Sequence, residues 1–205
     1  MDFTGIKNII FDLGGVLINL DPTLTHRAFE KAGAVQVAEH FTFTHQHTLI
    51  KEFEVGRMDA PSFRQMFCGI FNTVIQETDF DAAWNAMLLD VPAERLELLR
   101  RLKSRYNIYL LSNTNFLHHA FIIEYLRATH GIDNFDAMFH KAYYSHTLGL
   151  RKPDAAIYRH VLDENKLNPS ETLFFDDNAA NIEGAKAVGI QSVLVDKEIV
   201  EYFTV

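Results

Sequence analysis

Two apolar runs each end in an aspartate, and these aspartates are the residues best suited to chemistry. The first run, residues 8–12, ends in Asp12, and the second, residues 172–176, ends in Asp176 with Asp177 beside it. Adjacent carboxylates repel each other unless they share a cation, and their hard oxygen atoms suit Mg²⁺. The alternatives are a turn at Asp12 and a helix cap at Asp177. A cap explains one carboxylate but not the pair.

Two further motifs lie between these aspartates. The apolar run 107–112 ends in Ser112, and Asn113 and a helix-like segment follow. Such a junction offers backbone N–H groups and the positive end of a helix dipole to an anion. Lys152 precedes a proline that fixes the backbone ahead of a helix, so the lysine should lie in a rigid turn. The alternatives are ordinary helix capping and a surface lysine.

Strand-like and helix-like segments alternate along most of the chain. Strands are predicted at 8–12, 107–112, 137–143, 172–176 and 192–195. Helices are predicted at 93–103, 115–129, 154–165 and 179–188. Two glycines, Gly131 and Gly189, lie where helices should end. The alternation predicts an α/β fold with a doubly wound parallel sheet.

One interval breaks this alternation. Residues 19–90 show helical patterning rich in phenylalanine and no convincing strand. About 70 residues is too long for a plain connection. We therefore predict a core of residues 1–18 and 91–205, with an inserted helical cap of residues 19–90. The phenylalanines are interpreted as the core of this cap and not as a ligand pocket.

Composition excludes several classes of partner. The net charge of −8 argues against nucleic acid and against an acidic membrane surface, since both recruit basic residues. No apolar stretch approaches the roughly 20 residues of a membrane span, and no secretory signal pattern opens the chain. The one cysteine, Cys68, fits a reducing compartment. We expect a cytoplasmic protein with a small-molecule partner. The sequence does not determine the oligomeric state, and a monomer is the default.

The order and spacing of the four motifs resemble those of the haloacid dehalogenase (HAD) superfamily of aspartate-nucleophile hydrolases. The resemblance covers essentially the whole chain, and the inserted helical region matches that family's cap. For a phosphatase of this superfamily, it implies that Asp12 attacks phosphorus and becomes an aspartyl-phosphate. It also implies that Ser112 and the Asn113 backbone bind the phosphoryl group, whose charge Lys152 neutralises.

The resemblance further implies a Mg²⁺ cofactor. Its ligands would be Asp12, the backbone carbonyl of Gly14, and Asp177, with Asp176 as a further or water-mediated ligand. Asn181 lies where many relatives carry a metal-supporting acid. Mg²⁺ usually keeps several waters, so this short set of ligands is adequate.

One position departs from the family pattern. Many of its phosphatases carry a second aspartate two residues after the nucleophile, as general acid and base, but this chain has Gly14 there. Positioned acid–base catalysis contributes roughly 10²–10⁴-fold to rate. The start Asp-Leu-Gly-Gly-Val, together with Asp-Asp-Asn, resembles a subgroup of bacterial glucose-1-phosphate phosphatases that tolerates this glycine. A sugar 1-phosphate also needs less help from an acid than an alkyl phosphate does. Asp21 is a candidate replacement acid.

The segment 52–59 resembles the cap loop that reaches over the phosphate site. Its candidates for contact with the sugar or leaving group are Glu54 and Arg57, and the alternative is a solvated turn. His45 and His47 are two residues apart and would point in different directions on a helix, which argues against a paired metal site.

We therefore predict a Mg²⁺-dependent phosphatase that acts on a small phosphorylated metabolite, with a sugar phosphate as the favoured substrate. One alternative is a metal-independent 2-haloacid dehalogenase, which fits Gly14 but does not need the acidic pair. Another is a weakly catalytic binding or regulatory domain that kept the fold after losing the acid.

Overall fold

The central sheet of the computed structural model contains five parallel strands within the described residues, which are 3–40 and 48–203. The strands are β1 (Asn8–Phe11), β2 (Asn107–Ser112), β3 (Lys141–Tyr144), β4 (Thr172–Asp176) and β5 (Gln191–Leu194). Their order in the sheet is β3-β2-β1-β4-β5. The predicted α/β fold with a doubly wound parallel sheet is confirmed.

Helices flank the sheet and fill the interval between β1 and β2. In the first part of the chain they are α1 (Pro22–Lys31), α2 (Val37–His40), α3 (Thr48–Glu54), α4 (Ala60–Ile70), α5 (Glu77–Asn85) and α6 (Ala93–Lys103). In the second part they are α7 (Phe116–His130), α8 (Ser145–Leu148), α9 (Ala155–Asn165) and α10 (Ala179–Lys186). Short 3₁₀ turns lie at Asp136–Met138, Pro169–Glu171 and Ile199–Phe203.

Alternate residues of β1 pack on opposite faces of the sheet, as strand geometry requires. Ile9 and Phe11 join a hydrophobic cluster that includes Leu99 of α6. Ile10 joins a second cluster that includes Tyr158 of α9. Because both faces are covered, the strands are apolar on both sides, which explains their nearly continuous hydrophobic runs.

The helices α1 to α5 form a hydrophobic cluster of their own. Phe53, Phe63 and Phe80 are fully buried there, and the rings of Phe53 and Phe63 stack with centroids 4.1 Å apart. Their burial supports the interpretation of the phenylalanines as cap core, although Phe67, another buried member, also lines the cavity described below. Two other predicted members, Phe41 and Phe43, lie outside the described residues, as do His45 and His47.

The separate cluster supports the division into a core (1–18 and 91–205) and a cap (19–90), whose boundaries stay a prediction. The two connections between these parts lie side by side, since Leu20 and Leu88 form an isolated antiparallel bridge. None of the helices in the part of the chain that the structure describes has the length and apolar character to cross a bilayer.

The prediction for β3 was wrong at its start. Residues 137–143 were expected to form the strand, but Asp136–Met138 form a 3₁₀ turn and the strand begins at Lys141. The Asn134 side chain accepts a hydrogen bond from the Ala137 N–H at 3.2 Å, so the turn satisfies its backbone locally. Apolar character alone does not distinguish such a buried turn from a strand.

Candidate active site

The carboxyl ends of the central strands bring the sequence motifs together. Phe11 of β1 pairs with Leu110 of β2 and with Phe175 of β4. Consequently Asp12, Ser112 and Asp176 end adjacent strands at the same edge of the sheet. Ligands of open α/β sheets bind at this edge.

Lys152 joins two of the acids. Its Nζ lies 2.7 Å from Asp12 Oδ1 and 2.6 Å from Asp176 Oδ2, and only 1% of the lysine side chain is exposed. The two carboxylates raise the pKa of Lys152 against the effect of burial, so the ammonium is charged. Burial raises the pKa of Asp12 to about 8; Lys152 opposes this shift and Asp176 adds to it.

Asp176 is held rigidly by the start of α10. Its carboxylate accepts hydrogen bonds from the Asn178 N–H at 2.8 Å and from Asn181 Nδ2, which lies 3.0 Å from each oxygen. Tyr158 in turn donates to the Asn181 carbonyl at 2.7 Å. At the position where many relatives carry an acid, Asn181 therefore orients a carboxylate.

Three carboxylates form a cluster that can hold a metal ion. Asp12, Asp176 and Asp177 each offer one oxygen, and these oxygens lie within 4.8 Å of one another. Burial and the nearby Asp176 charge raise the pKa of Asp177. Lys152 offers one positive charge to three acidic side chains. Carboxylate oxygens with unbalanced charge fit a hard divalent cation.

The glycines after Asp12 make room for this cluster. Gly15 has a φ of +70°, and a Cβ there would come within 2.0 Å of Asp177 Oδ2. Any larger residue would therefore displace the carboxylate. Gly14 lines the same cavity, while the role of its carbonyl as a metal ligand stays a prediction.

Ser112 and Asn113 lie where the motif predicted, but the Asn113 side chain has a partner that the sequence did not reveal. Ser112 is 2% exposed and lines the cavity. The Asn113 amide bonds both backbone groups of Lys152, accepting from its N–H and donating to its C=O, each at 2.9 Å. The backbone of Asn113 is thus the part that remains at the end of β2 to face an anion.

A cavity of about 390 Å³ lies between the strand ends and the cap. Glu54 of α3 lines it and pairs with Arg151 at 2.9 Å. Arg57 is absent from the described residues that line the cavity; it is exposed and pairs with Glu52 at 3.1 Å. The geometry therefore does not support the predicted contact of Arg57 with a leaving group. Sequence reasoning missed Arg151, whose one signal is its position before Lys152.

The cavity has a mixed lining. Its polar members besides Glu54 and Arg151 include His26 and Lys51 from the cap. Its apolar members include Leu20, Phe29, Ile50, Trp84, Met87, Leu88 and Ile122. The cavity could therefore hold an organic group that carries hydroxyls.

The position of the missing acid is filled by a leucine. A Cβ on Gly14 would lie 2.7 Å from Leu20 Cδ1. Asp21 does not replace the acid, because its carboxylate caps α1 and accepts from the Thr23 N–H at 3.0 Å and the Thr23 hydroxyl at 2.6 Å. These bonds lower the pKa of Asp21, so it stays ionised at neutral pH.

Known proteins are similar to this chain over most of its length. A D-ribitol-5-phosphate phosphatase of Bacteroides thetaiotaomicron is 30% identical over 189 residues, which cover 91% of this chain and 90% of that protein. A sesquiterpene phosphatase of Aspergillus oryzae is 28% identical over 190 residues, covering 91% and 88%. An L-2-haloacid dehalogenase from Xanthobacter autotrophicus, at 20% identity and a TM-score of 0.57, shares the fold alone; the match covers 91% of this chain and 76% of that one.

Solved structures agree more closely still. A HAD family enzyme from Bacteroides thetaiotaomicron, crystallised with magnesium and inorganic phosphate, superposes with a TM-score of 0.87 at 31% identity, covering 97% of this chain and all of that one. An aspartate-to-alanine variant of that enzyme, also with magnesium and phosphate, gives 0.90 at 30% identity and covers 98% of this chain. The sequence profile of haloacid dehalogenase-like hydrolases matches residues 6–189. The chain therefore belongs to the haloacid dehalogenase-like hydrolase family, as its four motifs indicated.

Proposed function

We propose that this protein is a Mg²⁺-dependent phosphatase that hydrolyses a small sugar or polyol phosphate through an aspartyl-phosphate on Asp12. One observation carries the proposal: the Asp12 carboxylate touches the buried Lys152 ammonium, and one of its oxygens lies within 4.8 Å of an oxygen of Asp176 and of Asp177. The phosphatase activities of the two relatives, and the magnesium and phosphate in the neighbouring crystal structures, support it.

The charges of the site favour a divalent cation. Three acidic side chains face one ammonium, so the site holds more carboxyl groups than a single lysine can neutralise, and the raised pKa values of Asp12 and Asp177 are consistent with that crowding. Asp12, Asp177 and Asp176 would hold the ion, together with the Gly14 carbonyl. When bound, Mg²⁺ would polarise the phosphoryl oxygens and neutralise their charge.

Asp12 is oriented for attack. Its Oδ1 accepts hydrogen bonds from the Leu13 N–H at 2.7 Å and from Lys152 Nζ, so Oδ2 is the oxygen we assign to the nucleophile. As the Oδ2–P bond forms, the bond from phosphorus to the leaving oxygen breaks, and water would supply the proton that turns this oxygen into the alcohol. The Ser112 hydroxyl, the Asn113 N–H and Lys152 would bind the transferring oxygens. Water then hydrolyses the acyl phosphate and regenerates the carboxylate.

The cavity that would hold the leaving group is lined by both polar and apolar residues. Glu54 and Arg151 form a cap-to-core ion pair within reach of hydroxyl groups, and we assign them to the substrate in place of the predicted pair of Glu54 and Arg57. No acid stands at Gly14, so a leaving alcohol of low basicity should react best. The resemblance to glucose-1-phosphate phosphatases stays a prediction, and D-ribitol 5-phosphate is the substrate named for a relative.

The dehalogenase alternative is not favoured. It leaves the Asp176–Asp177 pair without a purpose, and the compared haloacid dehalogenase from Xanthobacter shares the fold alone. The other alternative, a weakly catalytic binding or regulatory domain, predicts no turnover of any phosphate ester, whereas we predict turnover.

The test is phosphate release from a panel that includes D-ribitol 5-phosphate and glucose 1-phosphate, with Mg²⁺ and with a chelator. We expect hydrolysis of at least one sugar or polyol phosphate that stops on chelation. Asp12→Asn should remove both turnover and phosphate incorporated into the protein, whereas Asp163→Asn, an exposed acid on α9, should retain both. Turnover by Asp12→Asn would refute the nucleophile, and chloride release from 2-chloropropionate in chelator would favour a dehalogenase.

A further inference from the structure

Two side chains near the site each bind both backbone groups of one residue. Asn113 accepts from the N–H of Lys152 and donates to its C=O, each at 2.9 Å. Ser145 does the same for Thr114, since its Oγ accepts from the N–H and donates to the C=O, again at 2.9 Å each. Neither side chain has a chemical step in the proposed reaction.

The hydrogen bonds from Asn113 satisfy backbone groups that would otherwise pair with a neighbouring strand. Lys152 lies in the irregular segment 149–154 between α8 and α9, where no strand partner is available for its backbone. The Asn113 side chain, at the end of β2, supplies the donor and the acceptor that a neighbouring strand would supply. Ser145, fully buried at the end of β3, ties the loop that carries Asn113 to the next strand.

These bonds fix the backbone position from which the long Lys152 side chain extends. Lysine has a flexible four-carbon stem, yet Nζ of Lys152 must lie within 2.7 Å of Asp12 and within 2.6 Å of Asp176 at once. Both carboxylates are held on the rigid ends of β1 and β4. A shift of the Lys152 backbone would therefore pull the ammonium from at least one of them.

We propose that Asn113 is a positioning residue for Lys152, and that Ser145 supports it by holding the β2 loop. The inference rests on the proposed function, because the position of the Lys152 ammonium matters here for phosphoryl transfer. A displacement of about 1 Å in a catalytic group can cost about 10²-fold in rate. The loss should fall mainly on kcat, since substrate contacts made by the cap are unchanged.

A double-mutant cycle separates positioning from simple structural support. The variants are Asn113→Ala, Lys152→Met and the pair, assayed by hydrolysis of p-nitrophenyl phosphate with Mg²⁺. We expect Asn113→Ala to lower kcat by about 10–100-fold, and to lower it less than about 2-fold further when Lys152 is already methionine. Equal losses in both backgrounds would overturn the proposal. Ser145→Ala should show a smaller loss with the same dependence on Lys152.

A second readout needs no activity. Lys152→Met keeps the backbone N–H and C=O that Asn113 binds, so a purely structural role would shift the urea midpoint of unfolding equally in both backgrounds. Positioning of the ammonium predicts a larger shift when Lys152 is present. Equal midpoint shifts would therefore reject the proposal even if the wild type hydrolysed nothing. Absence of hydrolysis by the wild type would instead reject the proposed function.

Two controls complete the design. Asn165→Ala removes another inter-element asparagine, which bonds the Tyr143 hydroxyl away from the site, and should leave kcat unchanged. Lys152→Gln, which also removes the charge and keeps a long side chain, takes the place of Lys152→Met should the methionine variant not fold.

Discussion

Asp177 should affect stability with opposite signs in the presence and in the absence of magnesium. One of its oxygens lies within 4.8 Å of oxygens of Asp12 and Asp176. Two like charges at that distance repel by about 3.5 kcal/mol at an effective dielectric constant of about 20. Asp177 is exposed, so solvent screening reduces the repulsion to about 1 kcal/mol. In a chelator, Asp177→Asn should therefore stabilise the protein by about 1 kcal/mol.

The pH dependence of this gain follows from the direction of the pKa shift. Although the side chain of Asp177 is exposed, desolvation of its carboxylate by neighbouring atoms and the Asp176 charge raise its pKa, so its ionised form destabilises the folded state. The gain from Asp177→Asn should be complete at pH values above the raised pKa, where the carboxylate is ionised in both states. It should vanish as the pH falls to about 4 and below, where Asp177 becomes protonated in the folded and then the unfolded chain.

Magnesium should reverse the order of the two proteins. An ion that binds only the folded state stabilises it by about 2.7 kcal/mol at 100 times its dissociation constant. Loss of a carboxylate ligand should remove most of that gain, so Asp177→Asn becomes the less stable protein once magnesium saturates the wild type.

The measurement is urea unfolding of both proteins in chelator and in saturating Mg²⁺, with Asp163→Asn as the matched control on an exposed surface. The control should follow the wild type in both conditions. An Asp177→Asn variant that is no more stable than the wild type in chelator, or that gains as much from magnesium, would refute the electrostatic reasoning.

Two further predictions concern the acid position and a buried histidine. Gly14→Asp alone should be poorly active, because its side chain meets Leu20. Gly14→Asp combined with Leu20→Ala should raise kcat on D-ribitol 5-phosphate by up to about 10²-fold. The same double variant should show no similar gain on p-nitrophenyl phosphate, because the leaving group of that ester needs no acid. An equal gain on both substrates would contradict this. Burial lowers the pKa of His118 to about 4, and its hydrogen bond to the Trp84 carbonyl opposes the shift. Since the unfolded chain takes up the proton near pH 6.5, stability should fall by about 1 kcal/mol from pH 8 to 5.5, and His118→Gln should show a flatter thermal-unfolding profile.

The sequence predicted the parts of the structure that depend on local pattern. Helix α6 begins and ends where its leucine spacing indicated, and β2 and β4 match the apolar runs that end in Ser112 and Asp176. The start of β3 was missed because Phe139 is buried beside a turn and resembles a strand residue in sequence. Strand order was inaccessible because it is set by contacts between distant segments.

The same distinction applies to the site. Asp12, Lys152 and Asp176 could be found from their positions after apolar runs and before a proline. Their contacts with Asn113 and with each other could not, because these bonds join residues that are distant in the chain, such as Asn113 with Lys152 and Lys152 with Asp12. Family resemblance pointed to the cap loop but selected Arg57, which turns to Glu52 instead of the cavity.

The groups that bind the phosphoryl and the groups that contact the leaving alcohol are therefore positioned by different kinds of contact. Backbone hydrogen bonds of the sheet set the register of the strands, so the phosphoryl-binding groups at the strand ends have fixed relative positions. The leaving-group end depends on how the cap lies against the core, through side-chain contacts such as Glu54 with Arg151 at 2.9 Å. A substitution in the cap can change that contact without disturbing the strand ends. Substrate preference can thus diverge among relatives while phosphoryl transfer stays the same, which is why the motifs indicate the reaction but not the alcohol.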